Sequence, residues 1–470
     1  MQPALTVLSR LAIRRPETRE WLARAFEGRL TELAEEALEV AVETGGPIGQ
    51  VLASLVEDQA GPDLAERLML RCDEADFRES VPLREVAEAA TRRQLEFLKG
   101  ELSTRPDPSQ SHVFARMLGN LGSRRSRLGD WRESLRCHRE AMKIQGDLLK
   151  NGGGKEVLFD LATSLANLGQ AHGVLGEWEE ALLTSREATR ILKKLEVGLD
   201  SGGLRALAVS LRNLGIALSE LGQAEEALAA GREAVEIQRK LVKQDPVEAV
   251  PDLARDLMNL AGRLSEKGDG EEALVRAEES LELRRTLAAE RPGIFLPSLA
   301  LTLHNLGFLL AGQGRSEDAL AATAEAAKLR RQLASERPEA FAADLASSLY
   351  NLSNRLADLG RPEEALAATE EVIGLYLQLV DRAPDRFLPD LANRCGLRCQ
   401  LLASLERPAE LFAAAEDGLR RLIPYLASHR EALNSTVASL FSYYMDSSSE
   451  DRPRDPEIMR GIRAALARAA

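Results

Sequence analysis

Apolar residues in this chain fall at helical spacing almost throughout, and from the middle onward one phrase keeps returning. Leu211, Leu214, Gly215, Leu218 and Leu221 follow at steps of three, one, three and three, which is one face of a helix. Gly222 stands where that helix should end, and the acidic pair Glu225/Glu226 opens a second one. Ala227 and Ala234 on the second helix are small enough for the two helices to approach closely, and the apolar pattern runs on through Ile237 and Leu241 until Pro246. That second helix is expected to span ~20 residues, or ~30 Å. The phrase recurs with a strict step of 46: Asn213, Asn259, Asn305, Asn351; Gly222, Gly268, Gly314, Gly360; Pro246, Pro292, Pro338, Pro384. A fixed period of this length is the signature of stacked helical units.

Outside the regular block the pattern loosens in readable ways. A first, diverged unit carries Leu118, Asn120, Gly122, Gly129 and Trp131, repeated 47 residues later at Leu165, Asn167, Gly169, Gly176 and Trp178. The extra residue fits the connector Asn151 to Gly154, whose Gly152-Gly153-Gly154-Lys155 lacks the first glycine and the Ser or Thr of a phosphate loop. Asp252, Ser298, Asp344 and Asp390 recur where they are expected to cap the first helices, each but Asp344 preceded by a proline. Phe295, Phe341 and Phe387 are expected to plug the space between successive units. A seventh unit from Leu391 to about Ile423 is diverged, and its Cys395 and Cys399 replace core positions (Leu349 and Ser353 one unit earlier), so packing rather than metal binding is expected. Residues 428–446 are expected to form a capping helix, and 447–470 a tether followed by a short amphipathic helix.

Residues 1–105 do not follow the step. Glu17 to Thr44 reads as one long helix interrupted only at Gly28, with shorter amphipathic segments at Ile48 to Gln59, Asp63 to Cys72 and Leu83 to Lys99. They are expected to form a helical N-terminal domain, joined through the Pro-bearing stretch Ser103 to Ser111 to a repeat array over 106–427.

The order Leu-Gly, Leu, Gly, Glu-Glu-Ala-Leu and then a small residue resembles the tetratricopeptide repeat. The period here is 46 instead of the usual ~34 residues. This long form resembles kinesin-light-chain-type repeats and the arrays of bacterial signalling and conflict proteins. The resemblance covers about residues 112–424. It implies an all-α, right-handed α-solenoid of about seven helix–turn–helix units, preceded by a helical N-terminal region, with the exposed edge of each first helix lining a concave groove.

Composition narrows the function. A net charge of −13 argues against a nucleic-acid partner. No uninterrupted apolar run near 18 residues is present, so no membrane-spanning helix is expected. The first residues lack the pattern of a secretory signal and only four cysteines occur, which makes the cytoplasm the expected compartment. Arg supplies 51 of the 61 basic residues in a chain rich in Ala, Leu and Gly, as GC-rich bacterial coding sequences do. The five His residues (112, 138, 172, 304, 429) show no ligand or nucleophile–base spacing, and no catalytic motif appears, so neither enzymatic activity nor a cofactor or metal is expected.

One repeated choice is out of character. Asn is a mediocre helix former, yet it holds mid-helix positions 120, 167, 213, 259, 305 and 351. Its side chain both donates and accepts, as a peptide backbone does. Two roles stay open: gripping an extended peptide in the groove, or bonding the neighbouring unit's backbone to hold the stack. The same edge carries Arg116 and Arg127 at the first unit, Arg255 at the fourth, and His304, Phe308, Tyr350 and Asn354 in the later, more aromatic units. These residues are the candidate peptide-binding groove. The expected function is a non-enzymatic adaptor or scaffold for a protein or peptide partner, with self-association left open. The alternative is a regulatory or sensor subunit of a bacterial signalling or defence system.

Overall fold

The computed structural model describes residues 2–44, 47–74, 80, 83–104, 107–195, 200–447 and 454–467. They form α-helices joined by short turns, with no strand among them. The chain divides into two compact units, Met1–Leu283 and Arg284–Ala470.

In the first unit, six helices precede the repeats: α1 (Gln2–Arg14), α2 (Arg19–Ala25), α3 (Leu30–Thr44), α4 (Ile48–Gln59), α5 (Pro62–Asp73) and α6 (Arg84–Thr104). Their core gathers Leu5, Leu22, Phe26, Leu38, Ile48, Leu52, Val56, Leu68 and Val86. The single long helix expected over Glu17 to Thr44 is in fact a short 3-10 turn, α2 and α3. Gly28 lies at φ +68, a left-handed conformation that ends one helix and redirects the chain. The expected linker Ser103 to Ser111 is largely helical. Thr104 ends α6 and Pro108 begins the next helix, leaving little between them but residues 105–106, which lie outside the described set.

Four helix pairs complete this unit: α7 (Pro108–Arg127) with α8 (Trp131–Lys150), α9 (Lys155–Val174) with α10 (Trp178–Leu195), α11 (Ser201–Glu220) with α12 (Ala224–Gln244), and α13 (Pro246–Lys267) with α14 (Gly270–Glu290), which runs across the boundary. The second unit holds α15 (Pro292–Gly312) with α16 (Ser316–Glu336), α17 (Pro338–Asp358) with α18 (Pro362–Val380), and α19 (Pro384–Ser404) with α20 (Pro408–Leu422). There α21 (Arg430–Asp446) buries Leu433, Val437, Leu440 and Tyr444 in the core shared with α19 and α20, with Tyr444 stacked on Phe412 at 4.9 Å. Helix α22 (Pro456–Ala467) packs Ile458 and Ile462 into the same core. Most of the expected tether, residues 448–453, lies outside the described set.

Each turn inside a pair is closed by a left-handed glycine, from Gly129 (φ +85) through Gly176, Gly222, Gly268 and Gly314 to Gly360 (φ +67). In the diverged seventh pair this place falls to Glu406, at φ +55.

The first helices begin earlier than expected. Pro246, Pro292, Pro338 and Pro384 are their first residues, because a proline there lacks only an N–H that would have no helical partner. Asp252, Ser298, Asp344 and Asp390 therefore lie inside helices and are not caps, and Pro251, Pro297 and Pro389 are internal prolines. The α13 cap is Asp245, which accepts from Glu248 N at 3.3 Å. The close approach expected at Gly307 is real: a Cβ there would stand 2.6 Å from Thr323 Oγ1 and 3.3 Å from Ala319 O of α16. At Gly215 it is not the paired helix that comes close. The Arg263 guanidinium of the following pair fills that space, 2.8 Å from the position of an added Cβ. Helix α15 also departs from expectation, since by length and composition alone it would suffice to cross a membrane. Here it buries Leu299, Leu303, Leu306, Leu309 and Leu310 within the array.

Candidate interaction surface

Each first helix buries two sides, one against its own partner and one against neighbouring pairs, which leaves one stripe open. In the first unit the stripe reads Arg116, Asn120, Ser123, Arg127 on α7; Thr163, Asn167, Gln170, Val174 on α9; Val209, Asn213, Ile216, Glu220 on α11; and Arg255, Asn259, Gly262, Glu266 on α13. In the second it reads Leu301, Asn305, Phe308 on α15 and Ser347, Asn351, Asn354, Asp358 on α17. The steps of three and four follow the helical period, so the Asn positions share one face along the pairs.

The six asparagines do not behave alike. Asn213 is buried and its Nδ2 donates to Ala166 O of α9 at 2.9 Å. Asn167 Nδ2 donates to Ser123 Oγ of α7 at 3.2 Å. Both amides tie one pair to the preceding one. Asn120, Asn259 and Asn305 make no side-chain hydrogen bond among the described residues. Asn120 is exposed and the other two are half-buried.

Asn351 belongs to a polar network in the second unit. Arg330, buried on α16, donates to Asp344 O and Ser348 Oγ, both at 2.8 Å, and faces His304 Nδ1 at 3.4 Å. Asn351 Nδ2 lies 3.3 Å from Nε2. Burial, reinforced by Arg330 and Arg355, pushes His304 down to about 4, so the ring is neutral at pH 7. Further along, Arg394 lies 3.6 Å from the Tyr350 ring centroid and donates to Ser353 Oγ at 3.0 Å and Asn354 Oδ1 at 2.9 Å. His304, Tyr350, Asn351 and Asn354 are thus engaged within the fold. Phe308, by contrast, is 70% exposed and Leu301 50%. Arg116 and Arg127 are exposed at the start of the array, and Arg255 is exposed beside Asp252, with which it pairs.

The remaining histidines also have structural surroundings. His112 meets Asp160 at 2.7 Å, His429 meets Asp385 at 2.7 Å, and His172 meets Glu177. His138 is buried against Gly122 and pushed down to about 4 by desolvation. All four cysteines are buried, with thiols pushed up by desolvation to about 12 (Cys72, Cys399) and about 11 (Cys137, Cys395). Thiols so raised are poor nucleophiles.

Two features escaped the sequence. One is a set of arginines inside the array: Arg212 bound to Asp256, Arg263 donating to Arg212 O at 3.2 Å, and Arg330 and Arg394 as above. The other is a ladder of ion pairs on the second helices, each linking a cation to a glutamate 40 residues ahead. In the first unit these are Arg186–Glu226, Lys193–Glu233, Arg232–Glu272 and Arg239–Glu279. In the second they are Arg285–Glu325 and Arg331–Glu371, both at 2.8 Å. The repeated 40-residue offset was readable in the sequence, but only once the stacking register was known.

Family comparison agrees with this architecture. Residues 207–248, 257–290, 299–338 and 345–384 match the tetratricopeptide repeat model. The chain carries tetratricopeptide repeats. A further stretch, 138–196, matches the model for anaphase-promoting complex subunit 5. No curated protein matches the sequence. Among solved structures, the tetratricopeptide array resembles apo RapI (15% identity, TM-score 0.50, 82% of this chain and 97% of that one). It also resembles a STAND protein with a tetratricopeptide repeat sensor from Pyrococcus horikoshii (11% identity, TM-score 0.50), over 83% of this chain and 54% of the other. BtubC from P. vanneervenii matches at 21% identity and TM-score 0.42, over 53% of this chain and 92% of that one. At these identities the likeness concerns the fold.

Proposed function

We propose that this protein is a non-enzymatic adaptor that holds an extended segment of a protein partner along the open stripe of the first helices within its first unit. The observation that carries this reading is the division among the asparagines. Asn120 and Asn259 keep their amides unengaged on an accessible face, where a peptide backbone can both donate to and accept from them. In the second unit, Phe308 and Leu301, beside the unengaged Asn305 on α15, offer apolar surface to a partner side chain.

The test is a titration with peptides selected from a random twelve-residue library on the full-length protein. Asn120→Ala with Asn259→Ala, both in the first unit, should weaken binding about 5- to 150-fold, from ~0.5–1.5 kcal/mol per lost hydrogen bond. Asn213→Ala should leave affinity unchanged, because its amide already serves the stack. Equal losses from both changes, or none from the first, would refute the groove assignment.

A further inference from the structure

The inter-repeat ladder has a gap at α8. Arg132, Arg136, Arg139 and Lys143 follow at steps of four, three and four, forming one exposed stripe ~16 Å long on that helix. Arg139 has glutamates 40 and 41 residues ahead, Glu179 and Glu180, at the start of α10. Even so, no ion pair forms. Among the described residues Arg132, Arg139 and Lys143 have no ion pair or side-chain hydrogen bond, and Arg136 pairs only with Glu133 of its own helix. The gap coincides with the 47-residue step and the connector Asn151 to Gly154, where Gly152 turns at φ +89. Beside the start of α8 and the α9–α10 turn, an open cleft of ≈ 380 Å³ is lined by Arg132, Leu135, Arg136, Arg139, Leu175 and Glu177.

We propose that this cleft docks an acidic segment of a partner protein, carrying carboxylates on either side of an apolar residue. Charge complementarity sets the first requirement. Arg139 stands where Arg186 and Arg232 meet the next repeat's glutamates, yet here it faces solvent with Arg132 and Lys143 beside it, so incoming carboxylates take the place of the missing internal partner. The half-buried Leu175 and the buried Leu135 set the second, giving an apolar side chain a floor between the arginines. A nucleic acid fits less well. Four cations on one helix are a short track for a phosphate backbone, Glu177 stands on the rim, and the chain as a whole carries −13. The cleft is lined by the start of α8 and the α9–α10 turn, and none of its lining residues belongs to the open stripe of the first helices.

The experiment is fluorescence anisotropy on the full chain at low salt, with a twelve-residue labelled peptide of repeating Glu-Glu-Leu. The peptide should bind, and added salt should weaken it. Arg132→Gln, Arg139→Gln and Lys143→Gln together should lower affinity about tenfold. Lys240→Gln with Lys328→Gln, at exposed lysines elsewhere, should not. Unchanged melting of the triple variant confirms that it is folded. No binding by the wild type, equal binding by the triple variant, or equal binding of a Gln-Gln-Leu peptide would overturn the proposal. So would tighter binding of a twelve-nucleotide oligothymidylate than of the acidic peptide.

Discussion

Asp256→Ala is the most informative single change for the stack. Asp256 is 2% exposed and Arg212 7%, and the guanidinium of α11 meets both carboxylate oxygens of α13, with NH2 to Oδ2 at 3.2 Å. Removing one member of a buried pair leaves the other charge without compensation, which costs ~3–5 kcal/mol. Asp252, 3.7 Å from Arg212, offers partial compensation, so the lower end, ~3 kcal/mol, is expected. The repeat itself supplies an apolar control, because the positions 46 residues later are Met258 and Thr302. Arg212→Met with Asp256→Thr should therefore come within ~1 kcal/mol of the wild type, since swapping a whole buried pair for packed side chains is often nearly neutral. Stacked repeats need not unfold in one step, so urea unfolding should be joined by hydrogen exchange on α11 and α13. A cost under ~1 kcal/mol for Asp256→Ala would show that the pair contributes nothing net. A double variant worse than the sum of the singles would refute the reasoning outright.

Other outcomes follow from single positions. Glu406→Gly should stabilise the seventh pair by ~1 kcal/mol, read as a rise in melting temperature, because a side chain at φ +55 costs ~1–2 kcal/mol and glycine's extra freedom when unfolded offsets part of that. Gly307→Leu should cost ~1–3 kcal/mol more than Gly262→Leu, because an added side chain overpacks against Thr323 at the first site and meets open space at the second; equal melting temperatures would displace the α15–α16 register. His138 titrates near 4 folded against 6.5 unfolded, so the unfolded chain takes up its proton first as pH falls. Its contribution is fully favourable above pH 6.5 and is lost progressively towards pH 4, by up to ~3 kcal/mol. Melting curves of the wild type should therefore fall more steeply between pH 6.5 and 4 than those of His138→Phe.

Much of the architecture was present in the order of residues. The 46-residue step of Asn, Gly and Pro determined that helices come in pairs, that each pair turns at a left-handed glycine, and that each Asn falls at the same place on its own first helix, because helical period and backbone chirality act within a few residues. The N-terminal helices were partly legible, yet a single glycine at Gly28 divided what the apolar pattern read as one helix. The Pro-led starts of the first helices were misplaced by about two turns, since proline serves equally as a stop and as a first residue.

What each repeated side chain does was decided only by stacking. Six asparagines that are equivalent in sequence separate into ties between pairs (Asn167, Asn213), a member of a buried network (Asn351) and unengaged groove positions (Asn120, Asn259, Asn305). Nothing in the one-dimensional pattern marks the arginines at 212, 263, 330 and 394, yet neighbouring helices bury them. A hydrogen bond or an ion pair needs atoms within a few ångströms, and those atoms arrive from helices 14 to 51 residues away in the chain. Local pattern sets which way a side chain points; packing of the neighbouring helices sets what it meets.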